Sequence, residues 1–228
     1  MKNDFLVWTG HESNKINFTK RLLSKLSLSV RKNQLLTMLQ ELQIDETNTV
    51  LDVGISPEED LPDTNYLEKH YPYPNKLTAL GVEDCSALPS LYPGVKIIQG
   101  SPGAPLPFEE GHYDVVTSWA TLEHVGDQKR QAYFLKECLR VGKKVFLTVP
   151  YRGCIYEPHT GFFFAHWLPL KLFRKLCIWS RKPFWADENN LNPLFIHDIK
   201  KMIQTKGVEI RTYRMFGILS SHLLIIKK

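Results

Sequence analysis

The chain has 228 residues, 43% of them apolar and 23% charged, with a formal net charge of +5. That is one domain with enough chain to bury a full core, and the composition excludes global disorder, a collagen repeat and a coiled coil. No apolar run reaches the ~18 residues of a spanning helix. The first residues, with Lys2, Asp4 and the short run Phe5–Trp8, lack the apolar stretch of a secretory leader. Cys85, Cys138, Cys154 and Cys177 form no CxxC pair, so free thiols in a reducing, cytoplasmic compartment are expected.

Leucines at helical spacing from Leu22 to Leu42 predict one or two helices over 17–43, with a break near Ser27–Ser29. Thr49–Val53 reads as a strand ending at Gly54. A short helix is expected at 65–70, and further strands at 76–82, 95–98 and 113–118. A helix over 127–141 has Asp127 as N-cap and Gly142 just past its end. A fifth strand, 144–149, stops at Pro150 and leads into an aromatic loop, 151–165. Helices at 166–179 and 196–205 and strands at 208–213 and 222–226 complete the chain. Basic residues concentrate in Lys15–Lys32 and 171–182, and acidic ones in 44–63. Solvated faces explain such runs. Without a dense Lys/Arg run or zinc-finger spacing, no nucleic-acid partner is expected. Contact with an anionic membrane face is the alternative.

The strands are short and almost continuously apolar, as in a parallel sheet covered by helices on both faces. The fold class is therefore α/β and doubly wound. Ligands of such sheets bind outside the carboxyl ends of the strands. That rule selects Asp52 and Gly54, Glu83 and Asp84, Ser101, Ser118 to His124, and Pro150 to Arg152. An acidic residue at Glu83 can accept two hydrogen bonds from a ribose diol. Gly54 allows close backbone approach to a ligand, and Asp52 can orient the loop or meet an ammonium group.

The segment Leu106-Pro107-Phe108-Glu109-Glu110-Gly111-His112-Tyr113-Asp114-Val115-Val116, followed by Leu122-Glu123-His124-Val125, resembles the class I S-adenosylmethionine (SAM)-dependent methyltransferases. Thr49–Gly54 resembles that family's first motif and Leu80–Ser86 its second, and the likeness runs over about residues 47 to 226. Val149–Arg152, Glu157–Thr160 and His166–Pro169 resemble a branch associated with surface-polysaccharide genes. Where the family has G-x-G-x-G, this chain has Gly54-Ile55-Ser56-Pro57-Glu58, and Ser101-Pro102 stands where an Asp is common.

The resemblance implies a mostly parallel seven-stranded sheet with an antiparallel last strand. It implies SAM as cofactor, held by Asp52, Gly54, Ser56, Glu83, Asp84 and Ser101, and flanked by Ser118, Trp119 and Leu122. The implied reaction is methyl transfer to a hydroxyl of a sugar, glycolipid or other small acceptor; a nitrogen or carbon acceptor is left open. His124 and His159 are the candidate bases, since imidazole titrates near neutrality. Tyr151, Arg152, His166 and Trp167 are candidate acceptor contacts. With no His-x₃-His spacing and no cysteine pair, no metal site is predicted.

The expected organisation is a helical lead-in, 1–46, packed on a domain, 47–228, with 151–195 as a cap over the acceptor. The apolar stretch Gly161–Pro169 can cover the core, line a pocket or rest on the inner face of a membrane. The rival reading is a degenerate methyltransferase fold serving as a non-catalytic partner-binding subunit.

Overall fold

The computed structural model describes residues 18–59, 61–215 and 217–228. Residues Lys2 to Lys15 and the start of the predicted lead-in therefore lie outside the described part. The described residues form a seven-stranded sheet built from β1 (Val50–Val53), β2 (Leu77–Gly81), β3 (Lys96–Gln99), β4 (Tyr113–Trp119), β5 (Gly142–Pro150), β8 (Val208–Met215) and β9 (Leu219–Lys227). A separate two-residue pairing joins β6 (Tyr156–Glu157) to β7 (Phe162–Phe163).

The order is β3-β2-β1-β4-β5-β9-β8. The first five strands are parallel, and β9 is antiparallel to both β5 and β8. The order reverses between β1 and β4, which makes their carboxyl ends the switch point where ligands of such sheets bind. The expected seven-stranded sheet is thus present: β9, the last strand, runs against the others, and β8 at the edge runs in the direction of β1–β5.

Alternation along the strands separates two cores. Val50, Val115, Phe146, Leu224 and Ile226 belong to one face, together with Leu35 and Met38 of α1 (Phe18–Glu41) and Leu42 just past its end. Leu51, Val116, Val145, Leu147, Val149, Leu223 and Ile225 belong to the other, together with Leu135, Cys138 and Leu139 of α4 (Gln128–Val141) and Ile199 of α6 (Ile196–Met202). α2 (Tyr66–His70) and α3 (Leu88–Leu91) pack on the α1 face through Leu67 and Leu88.

α1 is continuous through the predicted break at Ser27–Ser29. Isolated serines cost a helix only tenths of a kcal/mol, and the sheet covers that loss by burying Val30, Leu35 and Met38. Asp127 does cap α4, accepting from the Arg130 N–H at 2.9 Å, and Gly142 stands just past the helix end, where it opens β5. The predicted helix over 166–179 starts later: residues 165–167 make a single tight turn, Pro169 interrupts, and α5 runs Leu170–Trp179.

Candidate active site

On the α1 face the strands change character toward their carboxyl ends. Behind apolar Val50, Val115 and Phe146 come Asp52, Thr117, Trp119 and Thr148, and opposite Pro150 stands His222 of β9. Such polar residues at core-facing positions mark the place where the core ends and a site begins. α1 crosses this edge and lowers Arg31 onto it. The Arg31 Nη1 lies 3.4 Å from Thr148 Oγ1, and its guanidinium carbon 5.8 Å from the Trp119 ring centre. Burial lowers the Arg31 pKa, while Asp63, Glu123 and Asp52 raise it.

Beneath Arg31 two carboxyls are buried together. Asp52 and Glu68 share a hydrogen bond, and burial first, then their mutual repulsion, raises Asp52 well above the ordinary carboxylate range. Glu68 is raised chiefly by burial. Asp52 Oδ1 has no partner among the described residues. A buried carboxyl with an unused oxygen at a ligand edge is a place for a cationic donor.

Gly54 follows directly, exposed, with φ +114°. A Cβ there would meet Thr121 Oγ1 at 2.2 Å, so only glycine fits between β1 and the loop after β4. The Ser56 N–H donates to Asn65 Oδ1 at 3.0 Å, and Asn65 Nδ2 donates back to the Ser56 carbonyl at 2.7 Å. This clamp holds the turn that lacks the family's later glycines. Glu83 is half-buried just past β2, while Asp84 and Ser101 are exposed at the ends of β2 and β3.

Two residues expected beside the cofactor take other places. Ser118 is buried and donates to the Val53 carbonyl at 2.6 Å, tying β4 to β1. Leu122 is 2% exposed and packs in the core on the α4 face. Period-two alternation sends Ser118 away from the α1 face and the turn after β4 does the same for Leu122, while Trp119 stays on that face, stacked on Tyr66 at 6.5 Å.

The histidines converge. His124 follows β4 and His159 lies in the cap after β6, yet their Nε2 atoms are 3.1 Å apart. His124 Nδ1 faces the Asn190 carbonyl at 2.6 Å. His159 Nδ1 faces Glu157 Oε1 at 2.6 Å. Glu157 also accepts from the backbone of His159 and from the Thr160 N–H and hydroxyl. Burial and His159 push His124 down to about 3, while Glu157 holds His159 above its ordinary value against burial. Glu123, 1% exposed, is raised to about 7 by burial. Trp185 walls the pair, 5.1 Å from the His159 ring and 6.3 Å from the His124 ring.

The expected acceptor contacts divide. Arg152 is buried and donates to the carbonyls of His166 and Leu168 at 2.7 Å, with its guanidinium 4.6 Å from the Phe195 ring centre. His166 is 1% exposed and its Nε2 meets the Cys154 carbonyl at 2.8 Å. Both therefore brace the 151–195 segment from within, their side chains engaged with backbone carbonyls. Tyr151 is half-buried beside Phe195, and Trp167 is exposed on the outside, its Nε1 donating to Cys154 O. Sequence reading assigned no role of their own to Arg31, Glu68, Glu123 and Glu157. Only Glu123 and Glu157 carried a signal, each standing next to or near a selected histidine.

A sheet of this order with an acidic and glycine-bearing switch point is the class I methyltransferase architecture. A family model described as a methyltransferase domain matches residues 78–145. No curated protein matches the chain. Among solved structures, magnesium protoporphyrin IX methyltransferase from Synechocystis with bound SAH is similar at TM-score 0.57 and 13% identity, covering 95% of this chain and 90% of that one. The YcgJ protein from Bacillus subtilis gives TM-score 0.55 at 13% identity, with 86% and 99% covered. A SAM-dependent methyltransferase from Methanosarcina mazei gives 0.51 at 16%, with 80% and 92% covered. The partial family match over residues 78–145 and these likenesses give the chain the fold of class I SAM-dependent methyltransferases.

Proposed function

We propose that the chain transfers a methyl group from SAM to a hydroxyl of a sugar or glycolipid held under the 151–195 cap. The observation that carries this reading is the carboxyl-edge set: Asp52 with its unused oxygen, glycine-only Gly54 and half-buried Glu83, all at the switch point. These residues fit SAM. Asp52 suits an ammonium group, Gly54 admits the ligand close to the backbone, and Glu83 suits a ribose diol.

When bound, SAM supplies an activated methyl group on a sulfonium. Arg31 and Trp119 close the edge from the α1 side. The acceptor hydroxyl approaches from the cap side and gives up its proton at the His124–His159 pair. There Glu157 steadies a charged His159, a general-base contribution of ~10²–10⁴-fold.

A specific feature favours a lipid-linked acceptor. α5 buries Phe173 and Cys177, and its outer face carries Lys171, Leu172, Lys175, Ile178 and Trp179 at helical spacing. Trp179 is 83% exposed, and Phe163, Phe164 and Trp167 are exposed nearby in the cap. Apolar rings with flanking lysines suit the interface of an anionic bilayer. No helix among the described residues is long and apolar enough to cross a membrane.

Calorimetric titration with SAM and SAH tests the cofactor, and Glu83→Ala should weaken SAM roughly 10–100-fold, the usual value of charged hydrogen bonds. Absence of SAM binding by folded protein would favour the non-catalytic subunit instead. Flotation with anionic vesicles, lost in Trp179→Glu, tests the membrane arm.

A further inference from the structure

The contact between His124 and His159 cannot be satisfied by neutral imidazoles. The Asn190 carbonyl only accepts, so His124 Nδ1 must carry its hydrogen. Glu157 accepts four hydrogen bonds around its two oxygens, which is the pattern of an ionised carboxylate, so His159 Nδ1 carries a hydrogen too. As neutral rings each would present a bare Nε2 lone pair, the two facing each other at 3.1 Å, so the gap is filled either by a second proton on one ring or by a cation. Something positive belongs between them.

The third wall of the gap is Glu123. It is 1% exposed, and neither carboxylate oxygen has a hydrogen-bond partner among the described residues. Its Oε1 lies 3.6 Å from His124 Nε2. An orphaned buried carboxylate is costly, and an ion is one of the few things that satisfies it. Ligand atoms from all three residues lie within 4.8 Å of one another.

The geometry points to a divalent transition-metal site made by Glu123, His124 and His159. Ligands ~2.1 Å from a zinc-sized ion sit roughly 3.0–3.4 Å from each other; the two imidazole nitrogens at 3.1 Å fall in that range, and Glu123 Oε1 at 3.6 Å from His124 Nε2 lies just outside it. Two imidazoles and one carboxylate are a donor set for Zn²⁺, Mn²⁺ or Fe²⁺. The outer partners are those of a metal centre as well: each imidazole passes its other N–H to an oxygen, one on a carbonyl and one on a carboxylate, which fixes ring orientation. Three protein ligands leave at least one position for a water or an acceptor oxygen.

The consequence for catalysis rests on the methyltransferase reading. With both Nε2 atoms on the ion, the metal-loaded site would replace the histidine base of the metal-free reading, and the acceptor's proton would pass to solvent water. The acceptor hydroxyl would bind the ion, which makes its proton more acidic. Acceptors with neighbouring hydroxyls, as in sugars, would then be preferred.

The test uses the full chain freed of metal by chelator dialysis. Zn²⁺ is titrated by calorimetry, Co²⁺ by the visible bands of its bound ion, and SAM separately on the same metal-free sample. One Zn²⁺ per chain is expected, with affinity falling more than tenfold in His159→Gln and in Glu123→Gln. Circular dichroism and the SAM titration report folding in each variant. No Zn²⁺ uptake at millimolar concentration by protein that still binds SAM would overturn the metal site and leave the methyltransferase reading intact. Uptake unchanged in both variants, with no visible Co²⁺ bands, would overturn it as well. Uptake at one equivalent without SAM binding would support the site and count against the methyltransferase reading alone.

Discussion

Gly54→Ala tests whether the junction of β1 with the loop after β4 is as tight as the structure shows. The new Cβ would sit 2.2 Å from Thr121 Oγ1, 2.6 Å from Cγ2 and 2.9 Å from Cβ. Turning the Thr121 side chain cannot clear it, because the threonine Cβ is itself too near. Backbone must move, and overpacking of this kind costs about 1–3 kcal/mol. The φ of +114° adds strain of about 1–2 kcal/mol for any residue with a side chain. The sum is roughly 2–5 kcal/mol, a large part of the ~5–15 kcal/mol stability of an ordinary domain.

Urea unfolding followed by circular dichroism measures this cost. Thr121→Gly in the same background removes the clash but leaves the φ strain, so the double variant should recover about 1–3 kcal/mol. SAM affinity should fall in Gly54→Ala, since the moved backbone would lie under the cofactor in the function proposed above. A cost under ~1 kcal/mol, or no coupling between positions 54 and 121, would refute the reasoning.

The raised Asp52 and Glu68 make stability depend on pH in a definite direction. Below the unfolded carboxyl range both states are protonated and the pair has no effect. As pH rises the unfolded chain ionises first, so stability falls until the folded pair also loses its proton. Glu68→Gln should therefore raise the melting temperature at pH 8 and flatten this decline, and equal slopes in the two proteins would count against a shared proton. Because an ammonium ligand favours ionised Asp52, SAM binding should release a proton, read as a dependence of the calorimetric heat on buffer ionisation enthalpy. Ser118→Ala removes the hydroxyl that ties β4 to Val53. It should cost about 0.5–1.5 kcal/mol in stability and leave SAM affinity unchanged, whereas a selective loss of affinity would return Ser118 to the cofactor site.

Local signals carried the frame of this protein. Apolar strands bounded by glycine, proline and acidic residues gave the parallel sheet, because a strand buried on both faces must be apolar throughout. Strand ends then located Asp52, Gly54, Glu83 and His124, since the ligand edge of a doubly wound sheet follows from strand direction alone. Side-chain direction was less legible. Ser118 and Leu122 sit within a few residues of Trp119, yet the pleat and the following turn send them into the sheet and core. The packing of Arg152 and His166 was not legible either, because their partners are backbone carbonyls supplied by folding.

What only the tertiary structure decided is the company each polar residue keeps. α1 lies before β1 in the chain and shows a basic helix, but packing on the sheet brings Arg31 over Thr148 at a separation of 117 residues. His124 and His159 are 35 residues apart with no ligand spacing between them, and the cap closes them to 3.1 Å beside Glu123. Sequence patterns report periodicity along one element, so they register which face is buried. Contacts between elements depend on where whole helices and loops come to rest, and that is fixed by the collective packing of the core.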